Sequence, residues 1–129
     1  MSTDLKYLAL TAILTASLWI PYIIAQVRTN GPLTPSNYSD PTPRALPPWG
    51  KRADRAYMNA VETFAPFAAL VIVAHLVGKA EATAFWVVSF FWLRLAHAVV
   101  YLLGMPYVRT LIFTLGYVAI VGIFWEVIR

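Results

Sequence analysis

Charge is almost absent from four long stretches of this sequence. No charged residue occurs between Lys6 and Arg28, only Glu62 between Arg55 and Lys79, only Arg94 between Ala82 and Leu103, and none from Thr110 to Trp125. A helix that crosses a bilayer needs roughly 20 predominantly apolar residues. The stretches therefore read as four transmembrane helices, near 5–27, 55–78, 82–103 and 107–128. Helices of a soluble bundle would each keep a polar outer face, and none of these does. With 60% of its residues hydrophobic and 12% charged, the chain is an all-α, multi-pass membrane protein in contact with the lipid bilayer, and its 129 residues allow one domain, 1–129. A cleaved signal peptide is the competing reading of the first run, which is too long for one and lacks a clear small-residue cleavage site.

The cations are unevenly placed. Arg28, Arg44, Lys51, Arg52 and Arg55 flank or lie in the first connection, whereas Lys79 is the only cation of the second. By the positive-inside rule the first connection is cytoplasmic, and an even number of spans then puts both termini on the opposite side. Arg109, in the third connection, agrees. Although ten Lys and Arg outnumber six Asp and Glu, there is no soluble basic face for a nucleic acid to meet. The first connection, 29–50, holds six prolines among polar residues, which predicts an extended, semi-rigid loop that serves as a lid over a site or as a plain tether. Asn37-Tyr38-Ser39 fits a glycosylation sequon, a chance match in a cytoplasmic loop.

Ionisable groups are expensive in hydrocarbon and face protein or a water-filled cavity. In the second span Arg55, Asn59, Glu62 and Pro66 recur at helical spacing on one stripe, and in the third Arg94, His97 and Tyr101 form another. At 1.5 Å per residue Glu62 and His97 both lie about 10 Å from the cytoplasmic face and Arg94 about 15 Å. The matched depth predicts a Glu62–Arg94 ion pair. Arg28 and Arg109 add cations at the rim, giving a guanidinium-rich pocket suited to a small ligand with more than one carboxylate. Against this stands a plain structural reading, in which the pair locks two helices, His97 is an interhelical donor and the rim arginines are snorkelling anchors. His75, with no polar neighbour at helical spacing, reads as interfacial, and Phe85, Trp86, Phe90, Phe91 and Trp92 as facing lipid or a neighbouring subunit. Trp19, Trp49 and Trp125 read as interfacial anchors. Cysteine is absent, so any thiol chemistry uses a thiol from outside the chain. No metal site is expected, because His75 and His97 lie on separate helices near opposite faces.

The run Arg52-Ala-Asp-Arg55-Ala-Tyr-Met-Asn59-Ala-Val-Glu62-Thr-Phe-Ala-Pro66-Phe67 resembles the helix-two signature of the membrane-associated proteins in eicosanoid and glutathione metabolism, the MAPEG family. Arg94-Leu-Ala-His97-Ala-Val-Val-Tyr101 followed by Arg109 is similar to the later signature of its microsomal glutathione transferase and prostaglandin E synthase branch, and Gln26-Val27-Arg28 to the end of its first helix. The resemblance implies a homotrimer that binds glutathione, or another low-molecular-weight thiol, between subunits near the cytoplasmic face. Carried over by position, Arg55, Asn59, Glu62, His97, Tyr101 and Arg109 contact this cofactor, with Arg28 beside Glu62 in the same set. Arg109 would stabilise a thiolate that attacks a lipophilic small-molecule substrate, an electrophile or peroxide from the bilayer. A cation near sulfur lowers a thiol pKa, so the physics agrees. Met58 stands where prostaglandin-synthase-like members carry another arginine, Phe113 and Tyr117 replace polar positions, and Thr110 replaces a serine. Synthesis of prostaglandins or leukotrienes is accordingly not implied. Two other classes remain: a non-catalytic MAPEG-like accessory subunit of a membrane assembly, and a small four-helix transporter, although transporters of that kind usually carry their acid on the first helix.

Overall fold

Prolines punctuate the helices. In a computed structural model that describes residues 1–31 and 46–129, the first apolar run is two helices, α1 (Thr3–Ser17) and α2 (Trp19–Asn30). They form one span, Thr3–Asn30. Pro21 has no N–H to offer the Ser17 carbonyl and its ring crowds that carbonyl, so the helix breaks where Ser17 ends. The Leu18 N–H bonds back to the Thr15 carbonyl at 3.3 Å and tightens the joint. Helix α3 (Pro48–Leu76) starts well before the expected position near 55. Pro47 is extended and Pro48 enters the first turn, where its missing N–H costs nothing. Trp49 and Gly50, read as the end of the first loop, are therefore helical. The expected loop conformation from Pro32 to Ala45, including the Asn37 sequon, lies outside the described residues. Helices α4 (Ala80–Leu103) and α5 (Pro106–Ile128) complete four units long and apolar enough to span a membrane.

Contacts at both ends show that the spans alternate in direction. At one end a Cβ placed on Gly50 would overlap Ala25, so α2 finishes against the start of α3. There Arg52 Nε donates to the Leu102 carbonyl at 3.2 Å, and its guanidinium lies against Gly104, which ends α4 in the left-handed conformation at φ +78°. A cation on the last carbonyls of a helix also meets the negative end of its dipole. Arg28, Lys51, Arg52, Arg55 and Arg109 share this basic end. At the far end Asp4 Oδ2 lies 3.0 Å from His75 Nδ1, and Lys79 Nζ donates to the Arg129 carbonyl at 2.7 Å.

The core lies between α3, α4 and α5, where Phe67 and Val71 meet Val87, Phe90, Ala119 and Ile123. Phe67 and Phe90 stack with ring centroids 4.0 Å apart. This corrects the expectation for three aromatics. Phe85 and Trp92 are exposed, but Phe90 is buried, Trp86 lies on Gly122 of α5, and the Phe91 ring packs edge-on against Tyr7 of α1 with centroids 5.6 Å apart. Positions 83, 87, 90, 94 and 97 of α4 share its buried face, and Trp86 sits at its margin. In lipid, association of helices rests on close packing more than on exclusion of water, and small residues permit it. A Cβ at Gly122 would overlap the Trp86 indole. Gly122→Ala should therefore destabilise the bundle by about 1–3 kcal/mol. Thermal unfolding in detergent checks this, and an unchanged midpoint would contradict the Trp86–Gly122 packing.

Candidate functional site

The face that α3 buries runs through Ala53, Ala56, Ala60, Phe67, Val71 and Ala74. At about 100° per residue Glu62 falls on the opposite side. It is exposed there with Arg55, Met58, Ala65, Pro66 and Ala69. Pro66 adds to the polarity of this face, because the Glu62 carbonyl has no N–H four residues on to accept from. A carboxylate and a free carbonyl thus sit together on an outward surface part-way along a spanning helix.

The expected Glu62–Arg94 pair is not formed within the chain. Among the described residues the side-chain ion pairs are Asp4 with His75 and Glu126 with Arg129. Depth along the two helices agrees with the expectation, but direction does not: Glu62 points out, while Arg94 is 5% exposed and points in. Spacing within a helix defines a stripe, and only packing decides what the stripe faces.

Three of the expected site residues do come together. His97, one turn beyond Arg94 on α4, is 2% exposed, with its ring 5.4 Å from that of Tyr101 and 5.8 Å from that of Phe113. The Arg109 guanidinium carbon lies 4.7 Å from the centre of the Tyr101 ring, a cation–π contact across the tight turn at Gly104 and Met105. Among the described residues His97 Nδ1 is buried without a hydrogen-bond partner. Arg28 and Arg55 are exposed at the same end, and Asn59 is partly buried on α3. Among the described residues no hydrogen bond or ion pair joins Arg28, Arg55, Asn59 or Glu62 to the His97–Tyr101–Arg109 group. Beside Arg28, Tyr22, Gln26 and Asn30 form a ladder along α2, with bonds of 2.8 and 2.7 Å.

Sequence reasoning missed the role of Phe113 against His97 and the partner of His75. Asp4 is 71 residues from His75, and the sequence carries no local signal that joins them. The pair places an acid in the first turn of one helix and a base in the last turn of another, where each is favoured by the helix dipole. Among the described residues no group of three or more His, Cys, Asp or Glu could hold a metal ion.

The MAPEG family model matches residues 5–129. No curated protein matches the sequence. The geometry also makes a prediction about His97. His97→Phe fills the same slot between Tyr101 and Phe113 and removes the unpaired nitrogen, so stability should hold to within about 1 kcal/mol or rise. Chemical unfolding in detergent measures it, and a larger loss would mean that Nδ1 has a partner in the assembled protein.

Proposed function

The chain belongs to the MAPEG family, membrane-associated proteins of eicosanoid and glutathione metabolism, and from that premise we propose that it is a glutathione-dependent transferase or peroxidase acting on lipophilic electrophiles. The observation that carries this reading is the cation of Arg109 held over the Tyr101 ring beside buried His97, in a chain with no cysteine. Glutathione supplies the nucleophilic thiol that the chain lacks. The donor set fits such a ligand: Arg109 stabilises negative charge on sulfur, Arg28 and Arg55, in no ion pair among the described residues, can pair with carboxylates, and Asn59, Tyr101 and His97 offer neutral hydrogen bonds. A fixed guanidinium favours the thiolate directly, so no general base is needed. Among the described residues the buried Nδ1 of His97 has no hydrogen-bond partner, and a ligand beside Tyr101 and Arg109 would supply one.

Self-association belongs to the same proposal. A second copy covering the outward face of α3 would enclose Glu62 and the free carbonyl beside it, as hydrocarbon requires. A homotrimer would do this and bring Arg55, Asn59 and Glu62 into one site with the Tyr101–Arg109 group of a neighbour. The basic end would face the cytoplasm. Met58, exposed on the same face of α3, favours a second reading, an accessory subunit that keeps the fold without activating a thiol, because an apolar side chain stands there in place of a cation.

The ultraviolet absorbance of a thiolate, recorded as glutathione is added to purified protein near neutral pH, tests the proposal. A saturable signal is expected; without it the accessory-subunit reading stands. Arg109→Ala should abolish the signal. Tyr101→Leu should weaken it about two- to fivefold by releasing Arg109, whereas Tyr101→Phe keeps the ring and should retain it. Glu62→Ala is expected to alter crosslinking between subunits while helix content stays unchanged.

A further inference from the structure

Two opposite charges at membrane depth are left over by the single chain. Arg94 is turned inward and 5% exposed, Glu62 is turned outward on α3, and among the described residues neither is in an ion pair. In hydrocarbon each needs a counter-charge. Their depths agree. The stack of Phe67 on Phe90, with centroids 4.0 Å apart, fixes the register of the antiparallel helices α3 and α4. Counted from that stack toward the basic end, Glu62 is level with Leu95, within about one residue or 1.5 Å of Arg94. Thr63, beside Glu62, lines the same small cavity as Arg94, which agrees. Thr63 takes the side of α3 that faces this cavity, and Glu62, about 100° further round the helix, is directed away from it. Copies inserted with the same topology differ by a rotation about the bilayer normal, which leaves depth unchanged. Each outward Glu62 is therefore level with the Arg94 of any neighbouring copy.

Arg94 also has an approach from outside the bundle. It lines a partly enclosed cavity of about 30 Å³ between α3, α4 and α5. Phe113 and Tyr117 of α5 line it too and are 41% and 63% exposed, so the cavity reaches the outer surface past these two rings. The volume admits the end of one side chain and is too small for a larger free acid. Thr63 Oγ1 donates to the Asn59 carbonyl at 3.0 Å, which leaves the Arg94 guanidinium and the Tyr117 hydroxyl as the side-chain donors of the lining. A small anion or a water at Arg94 would leave Glu62 uncompensated, whereas one contact between copies neutralises both charges.

We propose that Glu62 of one copy enters this cavity on the next copy and pairs with its Arg94. The proposal rests on the self-association put forward above and gives it a register: the outward face of α3 in one copy lies against the mouth between Phe113 and Tyr117 of its neighbour. The two charges that a single chain cannot compensate become the interaction that joins one copy to the next.

The experiment is a double-substitution cycle on the full chain, with association of copies measured by sedimentation equilibrium in detergent and without glutathione. Glu62→Gln leaves Arg94 without its counter-charge, Arg94→Gln leaves Glu62 without one, and the double variant leaves neither charge behind. Each single substitution should weaken association at least about tenfold, and the double variant by clearly less than the product of the two losses. Losses that simply multiply, or single variants that associate like the parent, would overturn the proposal and leave Arg94 to a water or a small anion. A parent that stays a single copy would overturn self-association as well, so the two failures are told apart. Should Arg94→Gln fail to fold, the absence of native cysteine allows a second test. Copies carrying Glu62→Cys, mixed with copies carrying Tyr117→Cys, should be joined by a short bifunctional thiol reagent into mixed pairs that outnumber like pairs. Like pairs alone would count against the contact. Neither readout uses glutathione, so each holds whether or not the thiolate signal is found.

Discussion

Charge within hydrocarbon is the constraint on which the arrangement of this chain turns. Solvent in a bilayer offers a polar group nothing, so every carboxylate, guanidinium and free carbonyl at membrane depth must be met by protein, by a ligand or by an enclosed water. The chain carries such groups in two directions. Arg94 and His97 are turned into the bundle, and Glu62 with its free carbonyl is turned out of it.

Its two ends are secured differently. At the basic end Arg52 closes the last turn of α4 and Gly50 admits Ala25, and among the described residues Arg28, Arg55 and Arg109 form no ion pair. Seven residues separate Tyr101 from Arg109, yet the turn between α4 and α5 brings ring and guanidinium into contact. A short connection thus positions a cation that a long loop would leave loose. At the far end Asp4 is tied to His75 and Lys79 to the last carbonyl of the chain.

Much of this was legible before any coordinates. Four spans, their alternating order and the gathering of Arg28, Arg55 and Arg109 at one end follow from the lengths of the uncharged runs and the positions of the cations. The company of His97, Tyr101 and Arg109 follows from helical spacing and a short connection. Other features could not be read in this way. Glu62 and Arg94 match in depth but not in direction, and Phe90 and Trp86 turn inward from the same aromatic run that turns Phe85 and Trp92 outward. Runs that are apolar on every side carry little periodic signal, because lipid and protein interior select nearly the same residues.

Length, hydropathy and charge distribution alone determined that this is a membrane protein of four helices with one basic end, since a bilayer sets a minimum span and penalises charge wherever the chain crosses it. Proline placed the break in the first span, and its covalent geometry acts whatever the surroundings. Only the tertiary structure decided which way each helix turns about its own axis. That rotation depends on how side chains from separate helices interlock, Trp86 on Gly122 and Phe90 on Phe67, and those partners lie far apart in sequence. It is this choice that buries Arg94 beside a small cavity, exposes Glu62 and pairs Asp4 with His75.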